Sequence, residues 1–202
     1  MINRYIVGID EVGRGPLAGP LCVCALSFSL NNKSKLQKKY KKIKGKDSKK
    51  LTALGREYWY AEIERDKKLG SIRYSLVFIS NKVIDKKGMA YALHFAVEKV
   101  LKKLKIKTKE TQVLLDGSLK APKEYKQKTI IKGDEKELAI SLASIVANVG
   151  RAKLITNLSK KYWQQIKQDN KTYLKPMKFC KNCGRDIRKT RSNSLFCSIL
   201  CR

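Results

Sequence analysis

Short apolar runs in this chain stop abruptly on acids, and that punctuation limits the fold more than any other feature. The run at 5–9 halts at Asp10 and Glu11, the run at 112–115 halts at Asp116, and the run at 129–131 is followed within three residues by Asp134. Apolar runs this short read as buried strands, so the acids fall at strand ends, on the rim of a sheet. A second strand is expected at about 21–28, joined to the first by a glycine- and proline-rich connection at 13–20, and a third at 72–79. Helical spacing predicts helices over 52–68, with Thr52 as N-cap, and over 88–104, where Met89, Leu93, Ala96, Val97, Val100, Leu101 and Leu104 recur on one face. Another helix is expected to begin near Glu135 and run into the 150s. Residues 31–50 hold ten lysines and one acid, Asp47, and read as a surface loop or frayed helix. Lys82, Lys86 and Lys87 read as a solvated charge run, and His94, set among apolar neighbours, as a structural residue. Strands mixed with helices, opening on a hairpin, predict an α/β or α+β layered domain.

Rim acids have a chemical reading beside the bland one, in which carboxylates merely face water. Several carboxylates brought together raise one another's pKa, and a fold tolerates that best when a divalent cation neutralises them. Oxygen ligands with no histidine nearby favour Mg²⁺ or Mn²⁺ over zinc. Two such ions roughly 3.5–4 Å apart can activate water and stabilise a leaving oxygen on phosphorus. The charge balance points the same way: 46 Lys plus Arg against 17 Asp plus Glu give a formal charge of +29. So basic a chain calls for a polyanionic partner, nucleic acid first and an anionic membrane second. A lysine-rich compositional habit would account for part of the excess. Charge supports binding without showing catalysis.

The helix expected after Glu135 carries a narrow polar stripe, Ser141, Ser144, Asn148 and Arg151, spaced three, four and three apart and so on one face. Small polar groups there predict a border with a wet cleft, since a merely solvated face usually carries Lys and Glu. Cys22 and Cys24 alternate within an apolar run and read as small buried hydrophobes. Cys180, Cys183, Cys197 and Cys201 crowd the last residues as Cys-x₂-Cys, thirteen residues, Cys-x₃-Cys, close to zinc-site spacing. The tail has too little apolar material to fold unaided, so a metal would supply its stability. Disulfides are the alternative, disfavoured for an intracellular protein. The N-terminus has no secretory pattern, and no apolar run reads as approaching the roughly 18 residues of a membrane span, with 17–30 the nearest. The expectation is a soluble, cytoplasmic chain with no membrane partner.

Glycines and acids together carry a more specific signal. The stretch GIDEVGRGPLAGP at 8–20 resembles the signature loop of the ribonuclease HII family, and KDSKKL at 46–51, LLDGS at 114–118 and KGDEKELAISLASIVANV at 132–149 are similar to its later blocks, in the same order. The resemblance spans about 1–157. It implies a ribonuclease H-like fold, a central mixed β-sheet flanked by helices, with Asp10, Glu11, Asp116 and Asp134 as ligands of two Mg²⁺ or Mn²⁺ ions. Gly13-Arg14-Gly15 stands where the sister family, ribonuclease HIII, has Gly-Thr-Gly, so the arginine favours HII. The backbone there would read the 2′-hydroxyl beside the cut, glycines allowing main-chain groups close to a ribose. Ser48 and Lys49 match positions that contact the nucleic-acid backbone, and Ser141, Ser144 and Asn148 would line the substrate groove. The implied activity is hydrolysis of the RNA strand of RNA–DNA hybrids and 5′ to ribonucleotides embedded in duplex DNA, by a monomer.

The likeness weakens toward the C-terminus. Asn148 stands where the family has a phosphate-touching lysine, a change that weakens binding without abolishing chemistry. Asn170-Lys171-Thr172-Tyr173 is similar to a His-Lys-Gly-Tyr block, which would make Tyr173 the tyrosine that stacks on substrate, with Tyr162 the fallback. The expected organisation is 1–158 catalytic, 159–178 a linker or shortened substrate-binding segment, and 179–202 a small zinc-finger-like module binding Zn²⁺. The rival from another class is a nucleic-acid-binding protein on a degenerate nuclease fold.

Overall fold

The computed structural model describes residues 4–15, 19–41, 43 and 51–169, with 163–169 as backbone alone. Ser48, Lys49, Tyr173 and the four C-terminal cysteines lie outside the described residues. The chain divides into two compact units, Met1–Thr156 and Asn157–Arg202, and the sheet belongs to the first.

Five strands form that sheet: β1 (Tyr5–Val12), β2 (Leu21–Ser29), β3 (Arg73–Ile79), β4 (Thr111–Asp116) and β5 (Lys126–Ile130), in the order β3-β2-β1-β4-β5. β1 pairs antiparallel with β2, and β2 with β3, whereas β1–β4 and β4–β5 are parallel. The sheet is therefore mixed, as expected. β1 lies at its centre, with both edges of its backbone paired and its side chains at 6–10 buried.

Strand alternation sorts the core into two halves. Ile6, Cys22, Cys24, Leu26 and Phe28 point to one face, packed against α1 (Leu30–Lys39), α2 (Ala53–Lys68) and the N-terminal part of α6 (Leu138–Asp169). Val7, Ile9, Leu21, Val23 and Ala25 point to the other, covered by α4 (Met89–Leu104). Each fully buried Leu or Ile contributes roughly 1.5–3 kcal/mol, so the sheet is held by apolar burial on both faces. Cys22 and Cys24 are free and fully buried, as expected of small hydrophobes.

Thr52 caps α2, its side chain accepting from Gly55 N at 3.1 Å. Asp66 of that helix is buried, and it accepts from Tyr40 Oη at 2.7 Å and Lys39 Nζ at 2.9 Å, fastening the end of α1 to α2. Two elements differ from expectation. Lys82, Lys86 and Lys87 are exposed, as a solvated charge run should be, but they lie on a helix that was not expected, α3 (Asn81–Lys87), with no buried residue. A four-residue turn of helix, α5 (Gly133–Lys136), precedes α6, which continues past 158 to Asp169, so the first half of the expected linker is helical.

Leu138–Tyr162 is long and apolar enough, by length and composition, to cross a membrane, which the reading of 17–30 as the nearest approach overlooked. That apolarity is used by the sheet. Leu138, Ile140, Leu142, Ile145 and Val146 are all core residues. The contact is very close at Gly8 on β1: a Cβ there would lie 2.1 Å from the carbonyl carbon of Ala139. Strand backbone and helix backbone touch with no side chain between them.

Candidate active site

Parallel pairing of β1 with β4 places Ile9 opposite Leu115, so Asp10 and Asp116 follow side by side at the rim. Asp10 is buried on the α6 side of the sheet, opposite Cys24 of β2. Its Oδ1 accepts from the backbone N–H of Glu11 at 2.7 Å, and the Ser144 hydroxyl donates to its carboxylate. Burial, more than any other cause, pushes the Asp10 carboxyl up to about 7. Glu11 and Asp116 push the same way, while the bonds from Ser144 and the Glu11 amide oppose them.

Asp116 ends β4, and its Oδ1 accepts from Gly133 N at 2.6 Å. That bond draws the start of α5 to the rim and brings Asp134, buried in the first turn of α5, next in line. Lys132 enters this turn in the left-handed region, φ 54°. Glu11 begins on the opposite face of the strand from Asp10, by simple alternation, and its Oε1 pairs with Arg14 Nε at 3.0 Å. Arg14 Nη1 also reaches Ser118 Oγ at 3.5 Å, linking the loop after β1 to the loop after β4. Beside them lies a cavity of about 250 Å³ lined by Arg14, Leu93, His94, Val97, Ser118 and Lys120.

The four acids therefore share one rim. They do not close into a cage: among the described residues no three His, Cys, Asp or Glu side chains are grouped tightly enough to hold an ion. Glu11 is turned to Arg14, and Asp116 to the Gly133 amide. The donor chemistry still fits a hard divalent cation, being all oxygen, and although burial is the main cause of the raised Asp10 carboxyl, Glu11 and Asp116 add repulsion that a cation would relieve.

The polar stripe of α6 is placed differently from expectation. Ser141 and Ser144 are 1% and 2% exposed and face the sheet, not an open groove. Small residues are what this stretch needs, because α6 sits so close to β1 at Gly8. Ser144 is spent on Asp10, and Ser141 Oγ is buried with no hydrogen-bond partner. Asn148, half-buried, donates through Nδ2 to the carbonyl of Ser144 at 2.9 Å, a bond within its own helix. His94, read as structural, is exposed and lines the cavity. Ser118 was missed as a site residue, although it stands in the LLDGS block.

A mixed five-stranded sheet with helices on both faces and acids along its central rim has the architecture of the ribonuclease H-like class. The model of the family described as ribonuclease HII matches residues 7–181. Ribonuclease HII of Pelagibacter ubique is 43% identical over 161 residues, covering 79% of this chain and 78% of that protein. Among solved structures, the ribonuclease H2 from Pyrococcus horikoshii superposes with a TM-score of 0.60 at 28% identity, over 78% of this chain and 77% of that one. Bst-RNase HIII in complex with Mn²⁺ superposes with a TM-score of 0.62, over 79% of this chain and 56% of that one; at 18% identity it bears on the fold alone. The chain belongs to the ribonuclease HII family.

Proposed function

We infer that this chain is an endonuclease of the ribonuclease HII type, which hydrolyses the RNA strand of RNA–DNA hybrids and cuts 5′ to ribonucleotides embedded in duplex DNA. The observation that carries the reading is the pairing of β1 with β4, which sets Asp10 and Asp116 side by side and next to Gly13-Arg14-Gly15.

Asp10, Glu11, Asp116 and Asp134 would hold divalent cations, Mg²⁺ or Mn²⁺. The chemistry such ions would supply is activation of a water for attack on phosphorus and stabilisation of the departing 3′-oxygen. The chain's own groups do the rest. Ser144 and the Glu11 amide favour the ionised form of Asp10 and fix its orientation. Gly133 N–H aims Asp116. The main chain at Gly13 and Gly15 approaches the ribose, where only a 2′-hydroxyl distinguishes RNA from DNA. Arg14, bridging Glu11 and Ser118, holds that segment against the rim. Lysine and arginine elsewhere contact phosphates and give affinity without sequence preference. Ser48, Lys49 and Tyr173 are assigned to substrate by their match to the family's motifs, and Cys180, Cys183, Cys197 and Cys201 to Zn²⁺ by spacing.

A DNA duplex bearing a single ribonucleotide, incubated with the protein and Mg²⁺ or Mn²⁺, tests the reading. The expected product is a nick 5′ to the ribonucleotide with 3′-hydroxyl and 5′-phosphate ends, lost on Asp10→Asn. Tight binding with no nick in either metal would overturn it in favour of a binding protein.

A further inference from the structure

We infer that Arg151 is a positioning residue for the Gly13-Arg14-Gly15 segment: its guanidinium fills the space of two side chains that Gly13 and Gly19 lack, and ties both ends of the loop to α6. The consequence for selectivity rests on the proposed role of that segment in reading ribose; the placement of Arg151 does not.

One hydrogen bond and two close approaches define the arrangement. Arg151 Nε donates to the carbonyl of Pro20 at 2.9 Å, across 131 residues of chain. A Cβ at Gly13 would lie 2.8 Å from Arg151 Nε and equally 2.8 Å from the Pro20 carbonyl oxygen that Arg151 bonds, and one at Gly19 would lie 3.0 Å from Arg151 Nη2. Both glycines have positive φ, +106° and +93°, a region closed to most side chains. The guanidinium plate thus lies against both glycine Cα faces while it bonds the residue just before β2. Ile155, one turn further along α6, continues the contact, its Cδ1 3.5 Å from where a Gly19 Cβ would be.

Arginine suits this position because its fork is flat and its donors are spread along the edge. A lysine offers one ammonium and no plate. Arg151 is partly buried behind the loop, so it acts through the loop.

The physical effect follows from what the loop has to do. Reading a single hydroxyl requires the backbone held within about 0.5 Å of its working geometry. If the loop is loose, ordering it is charged against ribose recognition alone. Phosphate contacts spread over the surface do not depend on it. Removing Arg151 should therefore reduce the preference for a ribonucleotide while leaving general affinity for duplex in place.

The test measures binding of two duplexes of the same sequence, one with a single ribonucleotide and one all DNA, in Mg²⁺ by fluorescence anisotropy. The full-length chain carries Asp10→Asn throughout to prevent cleavage, and Arg151→Ala, Arg151→Lys and Arg151→Gln are added to it. The expected result for Arg151→Ala is a preference ratio reduced at least fivefold, with all-DNA affinity within twofold of the parent. Arg151→Lys should recover less than half of the loss. Affinities that fall in parallel, or a ratio that does not move, would overturn the inference, because a merely structural role predicts one of those two. If Arg151→Ala does not fold, as judged by circular dichroism, the Lys and Gln variants decide by the same ratio. A parent with no preference between the duplexes would overturn this inference, whereas the functional reading fails separately, if the protein that keeps Asp10 does not nick the ribonucleotide duplex.

Discussion

Asp10 combines two demands that pull against each other. Cation binding needs it ionised, yet burial together with Glu11 and Asp116 carries its carboxyl from 3.8 to about 7. The sign of the stability effect follows from linkage. Below about pH 4 the acid is protonated in folded and unfolded chains alike and makes no difference. Between about pH 4 and 7 the unfolded chain ionises while the folded one keeps its proton, so stability is lost as pH rises. The full cost stands above about pH 7. A shift of about three units corresponds to about 4 kcal/mol as a ceiling, at 1.36 kcal/mol per unit. Asp10→Asn is therefore expected to abolish cleavage and yet raise the metal-free melting temperature at about pH 8, with little change near pH 4. Calorimetry at the two pH values checks it; a variant less stable than the parent at the higher pH would show that the burial penalty is not felt.

Elements of this protein were legible where their apolar pattern was unambiguous. β1, β2, β3 and α4 fall within a few residues of expectation because each has an apolar run or stripe that only one element type satisfies. α3 lacked such a signal, and β5, expected as a buried strand at 129–131, runs over 126–130 with no buried residue. Residues 82–87 are dominated by lysine, and β5 alternates no apolar face, being a strand by virtue of its ladder with β4. The stripe at 141, 144 and 148 failed for another reason. Small polar residues suit a wet cleft and a close helix-strand contact equally, and what decides between them is Gly8, more than 130 residues away. The carboxylates at 10, 11, 116 and 134 were readable as a set, but the turning of Glu11 to Arg14 depends on side-chain geometry that no spacing encodes. At this scale Gly8→Ala is the informative change. Its Cβ would overlap the backbone of α6, with Ala139 C at 2.1 Å, and no rotamer can relieve a backbone clash. Overpacking typically costs 1–3 kcal/mol and occasionally more, and the upper end of that range or failure to fold is expected here. An urea titration with a midpoint equal to the parent's would refute the closeness of that contact.

For the molecule as a whole, the formal charge of +29 sets how it meets its substrate. Binding that rests on phosphate neutralisation weakens with salt, about a thousandfold between 50 and 200 mM for some six contacts. The prediction is that KM for hybrid rises steeply over that range while kcat changes little, because the chemistry is confined to a few groups at the rim. Steady-state rates at three salt concentrations decide it, and a kcat that falls in step with affinity would place the charge effect in the chemical step. The order in which the parts become available has its own consequence. β1 is the middle strand, but β4 and the backbone of α6 that covers it are made some 100 and 130 residues later. At a synthesis rate of roughly 5–20 residues per second, the emerging hairpin of β1 and β2 spends several seconds with one long edge unpaired and an oily surface bare. A ribosome that stalls in that interval releases a sticky fragment, and the acidic rim stays incomplete until the first turns of α6 have also left the exit tunnel.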